Sequence, residues 1–119
     1  MDLGWDAKEY PLLMGGQDLA LEGGVQQLAK ALYRRLITYP GDLPAHPDYG
    51  CRLRDYGGQP AEAWVARLAA LEAKRALEED PRVSEAQVEA WHEGDVLRVE
   101  ARVRPVEGWD EIVVRVEVP

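Results

Sequence analysis

Cys51 lies five residues after His46, and a cysteine beside a histidine is one way to build an activated nucleophile and its base. The spacing matches no catalytic motif, so a half-buried structural thiol is the favoured reading. The single serine, Ser84, follows Pro81-Arg82-Val83 with no motif around it. His46, His92 and Cys51 are the strongest metal donors, yet the histidines are far apart and lack the close ligand pairs of structural zinc sites. Cys51 is the only cysteine, which excludes an internal disulfide and a cysteine-only metal site.

Glycoside hydrolysis needs two facing carboxylates about 5–9 Å apart. With 22 acidic residues, some pair meets that distance by chance. Glu62, Glu72, Glu78 and Glu79 fall on a predicted helix whose charged face meets water. Asp42, Asp48 and Asp55 fall in a loop, where aspartate commonly forms turns. No acid stands in the apolar setting that raises a carboxyl pKa. The doublets Gly15-Gly16, Gly23-Gly24 and Gly57-Gly58 lack the frame of a phosphate or dinucleotide loop and read as turns. The expectation is a chain that is not an enzyme, with no catalytic, cofactor or metal residue and no small-molecule substrate.

A formal charge of −8 argues against a bare nucleic-acid binder, because phosphate attraction needs a positive surface. It suits solubility and steering towards basic partner surfaces. Arginine outnumbers lysine 11 to 3, which fits either a GC-rich genome or bidentate pairing with carboxylates at interfaces. No apolar run approaches the roughly 20 residues of a membrane helix. The first residues, Met1-Asp2-Leu3-Gly4-Trp5-Asp6, carry acid where a signal peptide carries base, so cytoplasmic synthesis is expected.

The elements that would position these groups fit a single domain of 119 residues. Residues 1–24 read as an extended arm with one or two short strands; it holds an apolar patch at Tyr10-Pro11-Leu12-Leu13-Met14, and the alternation at Leu19 and Leu21 allows a short strand. Val25, Leu28, Ala29, Leu32 and Leu36 recur at helical spacing, predicting a helix over 25–38 that Pro40-Gly41 ends. Residues 39–59, with four glycines and three prolines, form a long loop anchored by Tyr39, Tyr49, Leu53 and Tyr56. Loops of that length are usually functional or partner-bound. A second helix is predicted over 60–79, opened by Pro60 and stopped at Asp80-Pro81. Its apolar stripe is read as Trp64, Leu68 and Leu71, broadened by Ala61 and Val65.

Three strands follow. Residues 83–92 hold Val83, Val88 and Ala90 as inward candidates. In 96–104, Leu97, Val99, Ala101 and Val103 alternate strictly with Arg98, Glu100, Arg102 and Arg104. In 111–118, Ile112, Val114, Val116 and Val118 alternate with Glu111, Val113, Arg115 and Glu117. The last two strands form a C-terminal hairpin, which sets arginine against glutamate on the outer face. The fold class is therefore α+β, two main helices packed on a small antiparallel sheet. Trp5, Trp91 and Trp109, in or near turns and strand ends, read equally as core edges and as partner anchors.

The order of several short stretches carries a resemblance. Asp18-Leu19, a helix to Ile37, Thr38-Tyr39-Pro40-Gly41-Asp42, Pro47-Asp48-Tyr49-Gly50-Cys51-Arg52-Leu53 and Glu79-Asp80-Pro81-Arg82-Val83 follow one another over about residues 10–119. Together they resemble the gene-25-like baseplate wedge family of contractile phage tails. In that pattern a glutamate precedes Pro-Arg, and another closes the Pro-Gly turn. Here Asp80 and Asp42 keep the charge with a shorter reach. The resemblance implies a structural subunit of the tail baseplate, assembled in the host cytoplasm. Its implied partners are other wedge subunits and the tail sheath protein, with neither nucleic acid nor membrane. Relatives serve in other contractile injection machines. The lysozyme label the family also carries finds no support in the acids above. The implied partner-binding residues are Asp80, Pro81 and Arg82, together with Ile112, Val114, Val116 and Val118 of the terminal strand, which is the candidate free edge for a sheath strand. Arg82 has a second reading, as a helix C-terminal cation that fixes its own turn.

Overall fold

The computed structural model describes residues 23–119 and, as backbone, the two-residue strand β1 (Leu12–Leu13). The rest of the predicted N-terminal arm, with Trp5 and the Leu19–Leu21 strand, lies outside the described residues. Helix α1 spans Gly23–Ile37, so it begins at the glycine read as a turn. Helix α2 spans Ala63–Glu78. Three strands close the chain: β2 (Val83–Glu93), β3 (Val96–Pro105) and β4 (Ile112–Val118). All are antiparallel, in the order β1-β4-β3-β2.

The predicted α1 stripe is the buried one. Leu28, Leu32 and Leu36 are fully covered, each stabilising the fold by about 1.5–3 kcal/mol relative to exposure. The helix packs over β4, while α2 packs over β2. Pro60 does not open α2; the helix starts three residues later, with Glu62 in extended geometry at its N-cap. Among the described residues no helix is long and apolar enough to cross a membrane.

The face of α2 differs from the expectation. The covered residues are Val65, Ala66, Ala69, Ala73, Ala76 and Leu77, whereas Trp64, Leu68 and Leu71 are 53%, 43% and 56% exposed. The helix carries two apolar stripes on roughly opposite sides. Periodicity weighted by side-chain size selects the large residues, but the alanines are the ones that let the helix axis come close to the sheet.

The sheet follows the predicted alternation. Leu97, Val99, Ala101 and Val103 of β3 and Ile112, Val114, Val116 and Val118 of β4 are all at most 2% exposed. On the other face Arg98 pairs with Glu117, and Arg115 Nε donates to Glu100 at 2.8 Å. In β2, Val83 and Ala86 both face the core although they are three positions apart, an odd spacing for one face of a strand. A register shift between Val83 and Glu85 absorbs the odd residue. Gly94-Asp95 closes the β2–β3 hairpin as a two-residue turn with Gly94 at φ +62°.

The long loop is held at both ends. Thr38 Oγ1 donates to the Arg34 carbonyl at 2.6 Å, and Tyr39-Pro40-Gly41-Asp42 forms a turn with Asp42 N donating to the Tyr39 carbonyl at 2.9 Å. Proline second and a positive-φ glycine third are the residues of a type II turn. Leu53 is fully buried in a 3-10 turn over Leu53–Tyr56. Cys51 N donates to the Thr38 carbonyl at 2.8 Å, which presses the Gly50 backbone against the end of α1. Gly50 has φ +127°, and a Cβ there would sit 2.3 Å from the Thr38 oxygen. Replacing Gly50 with alanine should therefore cost about 2 kcal/mol or more, read as a lowered urea midpoint with unchanged slope. The same change at Gly58, where a Cβ meets nothing within 4 Å, serves as the control and should cost less.

Candidate interaction surfaces

Asp80, Pro81 and Arg82 form a tight corner between α2 and β2. Asp80 is almost fully buried, and its carboxylate accepts from Arg82 N at 2.8 Å, Arg82 Nε at 3.0 Å and Arg82 Nη2 at 2.9 Å. These bonds, the side-chain one foremost, hold the Asp80 carboxyl below its ordinary pKa. Arg82 is thus engaged within its own turn, with its guanidinium half-exposed. The neighbouring Glu79 lies 3.7 Å from Arg35 of α1, whose guanidinium stacks over the Tyr49 ring at 4.6 Å. The end of α1, the Pro47–Gly50 stretch and the Asp80-Pro81-Arg82 turn therefore meet at one corner.

Beside it the loop is tied to α2. Glu72 accepts from Arg52 N at 2.8 Å and from Arg75 Nη2 at 2.8 Å. Burial pushes its carboxyl pKa up, but these bonds outweigh burial and hold it below the ordinary value. Tyr39 lies beneath Arg54 at 4.3 Å and donates its hydroxyl to Asp55 at 2.7 Å. Cys51 is buried, and burial pushes its thiol pKa up to about 12, so the thiolate needed for chemistry is suppressed. The described residues hold no group of three or more potential metal donors.

Among the described residues, the terminal strand has an outer neighbour over its first two residues. β4 lies between β3 and β1, with Leu12 opposite Val113 and Leu13 opposite Ile112. The side chains of Ile112, Val114, Val116 and Val118 belong to the core. The outer strand at the other end of the sheet is β2. Counting back from the hairpin turn, the N–H and C=O groups of Ala86, Val88, Ala90 and His92 point away from β3. At Ala86 both are occupied: its N–H donates to Glu78 at 3.0 Å, and its C=O accepts from Lys74 at 2.7 Å. Lys74 and Glu78 also pair with each other at 2.6 Å. Beyond them a groove of about 620 Å³ runs between α2 and β2, lined by Ala63, Ala66, Ala70 and Arg67 on one side and Val88 and Ala90 on the other. His92 completes that lining, and among the described residues its buried Nε2 has no hydrogen-bond partner.

The second surface is the outer stripe of α2. Three large apolar side chains one turn apart at a helix surface are characteristic of a contact face. Trp91, also partly exposed, donates to Glu93 at 3.2 Å on the outer face of β2. Trp109, in contrast, packs beside Gly24 at the start of α1. Of the two tryptophan readings, Trp109 fits the core edge and Trp91 the accessible surface. The sequence pattern signalled the α2 stripe but pointed it inward, and strand order, which defines the β2 edge, has no local signal.

No protein-family model and no curated protein matches the chain. Among solved structures, the fold is similar to a candidate tail lysozyme from Geobacter sulfurreducens, with a TM-score of 0.69 and 21% identity over 83% of this chain and 95% of that one. At that identity the likeness is one of fold.

Two measurements check these placements. Leu68→Ser should change unfolding free energy by no more than about 0.5 kcal/mol, while Ala69→Leu should destabilise by about 1–3 kcal/mol through overpacking, both read in urea. Asp80→Asn should cost about 2 kcal/mol at neutral pH. Because the folded pKa of Asp80 is depressed, the unfolded chain binds the extra proton first as pH falls. The carboxylate's contribution is complete above the unfolded value, near 4, and is lost as pH falls through the folded one. The gap between the two proteins should therefore close in acid, as seen in urea titrations at stepped pH.

Proposed function

We propose that this chain is a structural baseplate wedge subunit of a contractile phage tail or related injection machine. It links neighbouring wedge subunits and offers a sheet edge for the first ring of tail sheath. The observation that carries the reading is the convergence at one corner of Tyr49-Gly50, Asp80-Pro81-Arg82 and the end of α1. These stretches, separated in sequence, are the ones that resemble the gene-25-like family. The fold likeness to a protein named for a phage-tail role supports it. So do the outer α2 stripe and the open edge of β2, surfaces that suit assembly more than turnover.

That neighbour's name favours a second reading, a cell-wall glycosidase. The carboxylates argue against it. A general acid needs a raised pKa. Glu78 is held low by Lys74, Glu93 by Trp91 and Arg98, Asp80 by Arg82, and Glu72 by Arg75 and Arg52 despite its burial. The proposed partners are other wedge subunits and the sheath protein, with neither nucleic acid, membrane nor small-molecule substrate, and the proposed location is the virion tail baseplate.

Deleting the gene in the particle-producing host should abolish sheathed tails in electron micrographs, and plasmid-borne wild type should restore them. Normal sheathed particles from the deletion strain would overturn the proposal. Purified protein at high concentration should leave a peptidoglycan zymogram uncleared. Clearing that a single glutamate-to-glutamine change abolishes would establish the glycosidase instead.

A further inference from the structure

The outer face of α2 repeats in sevens. Trp64, Leu68, Leu71 and Arg75 recur at spacings of four, three and four residues, which is the seam of a coiled coil, with Leu68 and Arg75 at a and Trp64 and Leu71 at d. The seam lies opposite Ala66, Ala69 and Ala73, which face the sheet, and its three apolar side chains are exposed. The same register places Arg67 and Lys74 at g on one flank and Glu72 and Glu79 at e on the other. One flank is basic and the other acidic. Arg67 has neither ion pair nor hydrogen bond among the described residues.

These flanks define the occupant and its direction. In a parallel pair of helices each g residue faces the e residue five positions on in the other helix. A second copy of α2 laid parallel therefore sets Arg67 against Glu72 and Lys74 against Glu79, each twice by symmetry. Laid antiparallel, g faces g and e faces e, so base meets base and acid meets acid. Glu72 already accepts from Arg52 N, Arg75 Nε and Arg75 Nη2, which leaves one of the roughly four acceptor positions of a carboxylate. Lys74 and Glu79 are half-exposed and reach outward from their present contacts. Arg75, at the last a position, is neutralised within its own chain by Glu72 at 2.8 Å and Glu79 at 2.5 Å, so two copies of it can meet on the axis. A polar residue at one a position fixes the register at a cost in stability.

We infer that the outer face of α2 is a homodimer seam, on which a second copy of this chain packs its own α2 in parallel about a two-fold axis. The two sheets lie on the far sides of the paired helices and stay apart. Because α2 is already folded against its own sheet, pairing costs no helix ordering. The seam is short, however, and three apolar side chains per copy fall well under the roughly 800 Å² per partner of a stable interface. A net charge of −8 opposes approach at long range, although physiological salt screens it beyond about 8 Å. The association is therefore weak, with a dissociation constant on the order of 100 μM. At the low micromolar concentrations of a urea titration the chain is a monomer, so the stability comparison at Leu68 is unaffected. The inference stands on the heptad and its charges rather than on the tail reading, which gene deletion tests separately.

Sedimentation velocity of the full-length protein from about 10 μM to about 1 mM, at physiological ionic strength, should show the mass rising from monomer towards dimer. In 15N-labelled protein the amides of Trp64, Leu68 and Leu71 should shift over the same range, while those of Val88 and Ala90 stay in place. Leu68→Ser, which keeps the fold, should weaken the association about tenfold or more. Arg67→Glu should weaken it about fivefold by setting acid against Glu72, whereas in an antiparallel pair the same change would face Lys74 and strengthen it. Leu71→Cys should give a disulfide-linked dimer on air oxidation, because d faces d only in the parallel arrangement. The wild-type chain, whose Cys51 is buried, should not. A monomer at about 1 mM, undiminished association of Leu68→Ser, or tightening by Arg67→Glu would each overturn the inference. Concentration-dependent shifts confined to Val88, Ala90 and His92 would overturn it in favour of contact through the sheet.

Discussion

Ala66, Ala69, Ala73 and Ala76 present nothing larger than a methyl group to the sheet, and the rest of the molecule's surface follows from that. A helix with leucines on this side would stand further from β2, out of reach of its edge. With alanines, Lys74 and Glu78 come within hydrogen-bonding distance of the Ala86 backbone. The same rotation turns Trp64, Leu68 and Leu71 to the outside. Small side chains contribute little burial each, so this packing gains its stability from proximity and from the larger residues around it, Val65, Leu77 and the leucines of α1.

The second constraint is electrostatic and local. Asp80 enters a buried position at the end of α2, which is unfavourable for an isolated carboxylate. Three donors from Arg82 offset that cost, and the arrangement fixes the direction in which β2 leaves the helix. Arg35 and Tyr49 extend the corner to α1 and the loop. Glu72 repeats the device at the other end of the loop by holding the Arg52 amide. The long loop is held by its own turn bonds, by the Cys51 amide on the Thr38 carbonyl and by the Arg52 amide on Glu72 of α2.

Much of this was legible in the residues, and the failures are instructive. The α1 stripe and the β3–β4 hairpin could be read because large apolar residues recur at one period and nothing competes. In α2 two stripes share the helical period. Periodicity reports that a face is apolar, not which partner it meets, so Trp64, Leu68 and Leu71 were turned inward. Strand order has no such local pattern. Nothing within Ile112–Val118 states that Leu12 and Leu13 pair with its start; the apolar Val113 on the outer face, itself buried, signals only that this face is covered there. The Asp80 motif was visible as a string. Its meeting with Arg35 and Tyr49 depends on long-range packing, which no local pattern encodes.

The short length of open β2 backbone has a kinetic meaning. At about 1 kcal/mol per net hydrogen bond, a strand held over three outward residues gains too little to remain for long on its own. Residence then depends on a second contact that keeps the strand's local concentration high after each release. By closing Ala86, the Lys74–Glu78 pair limits dwell time as well as length. A strand that met this edge alone would therefore leave quickly, and a second point of attachment would be needed to hold it.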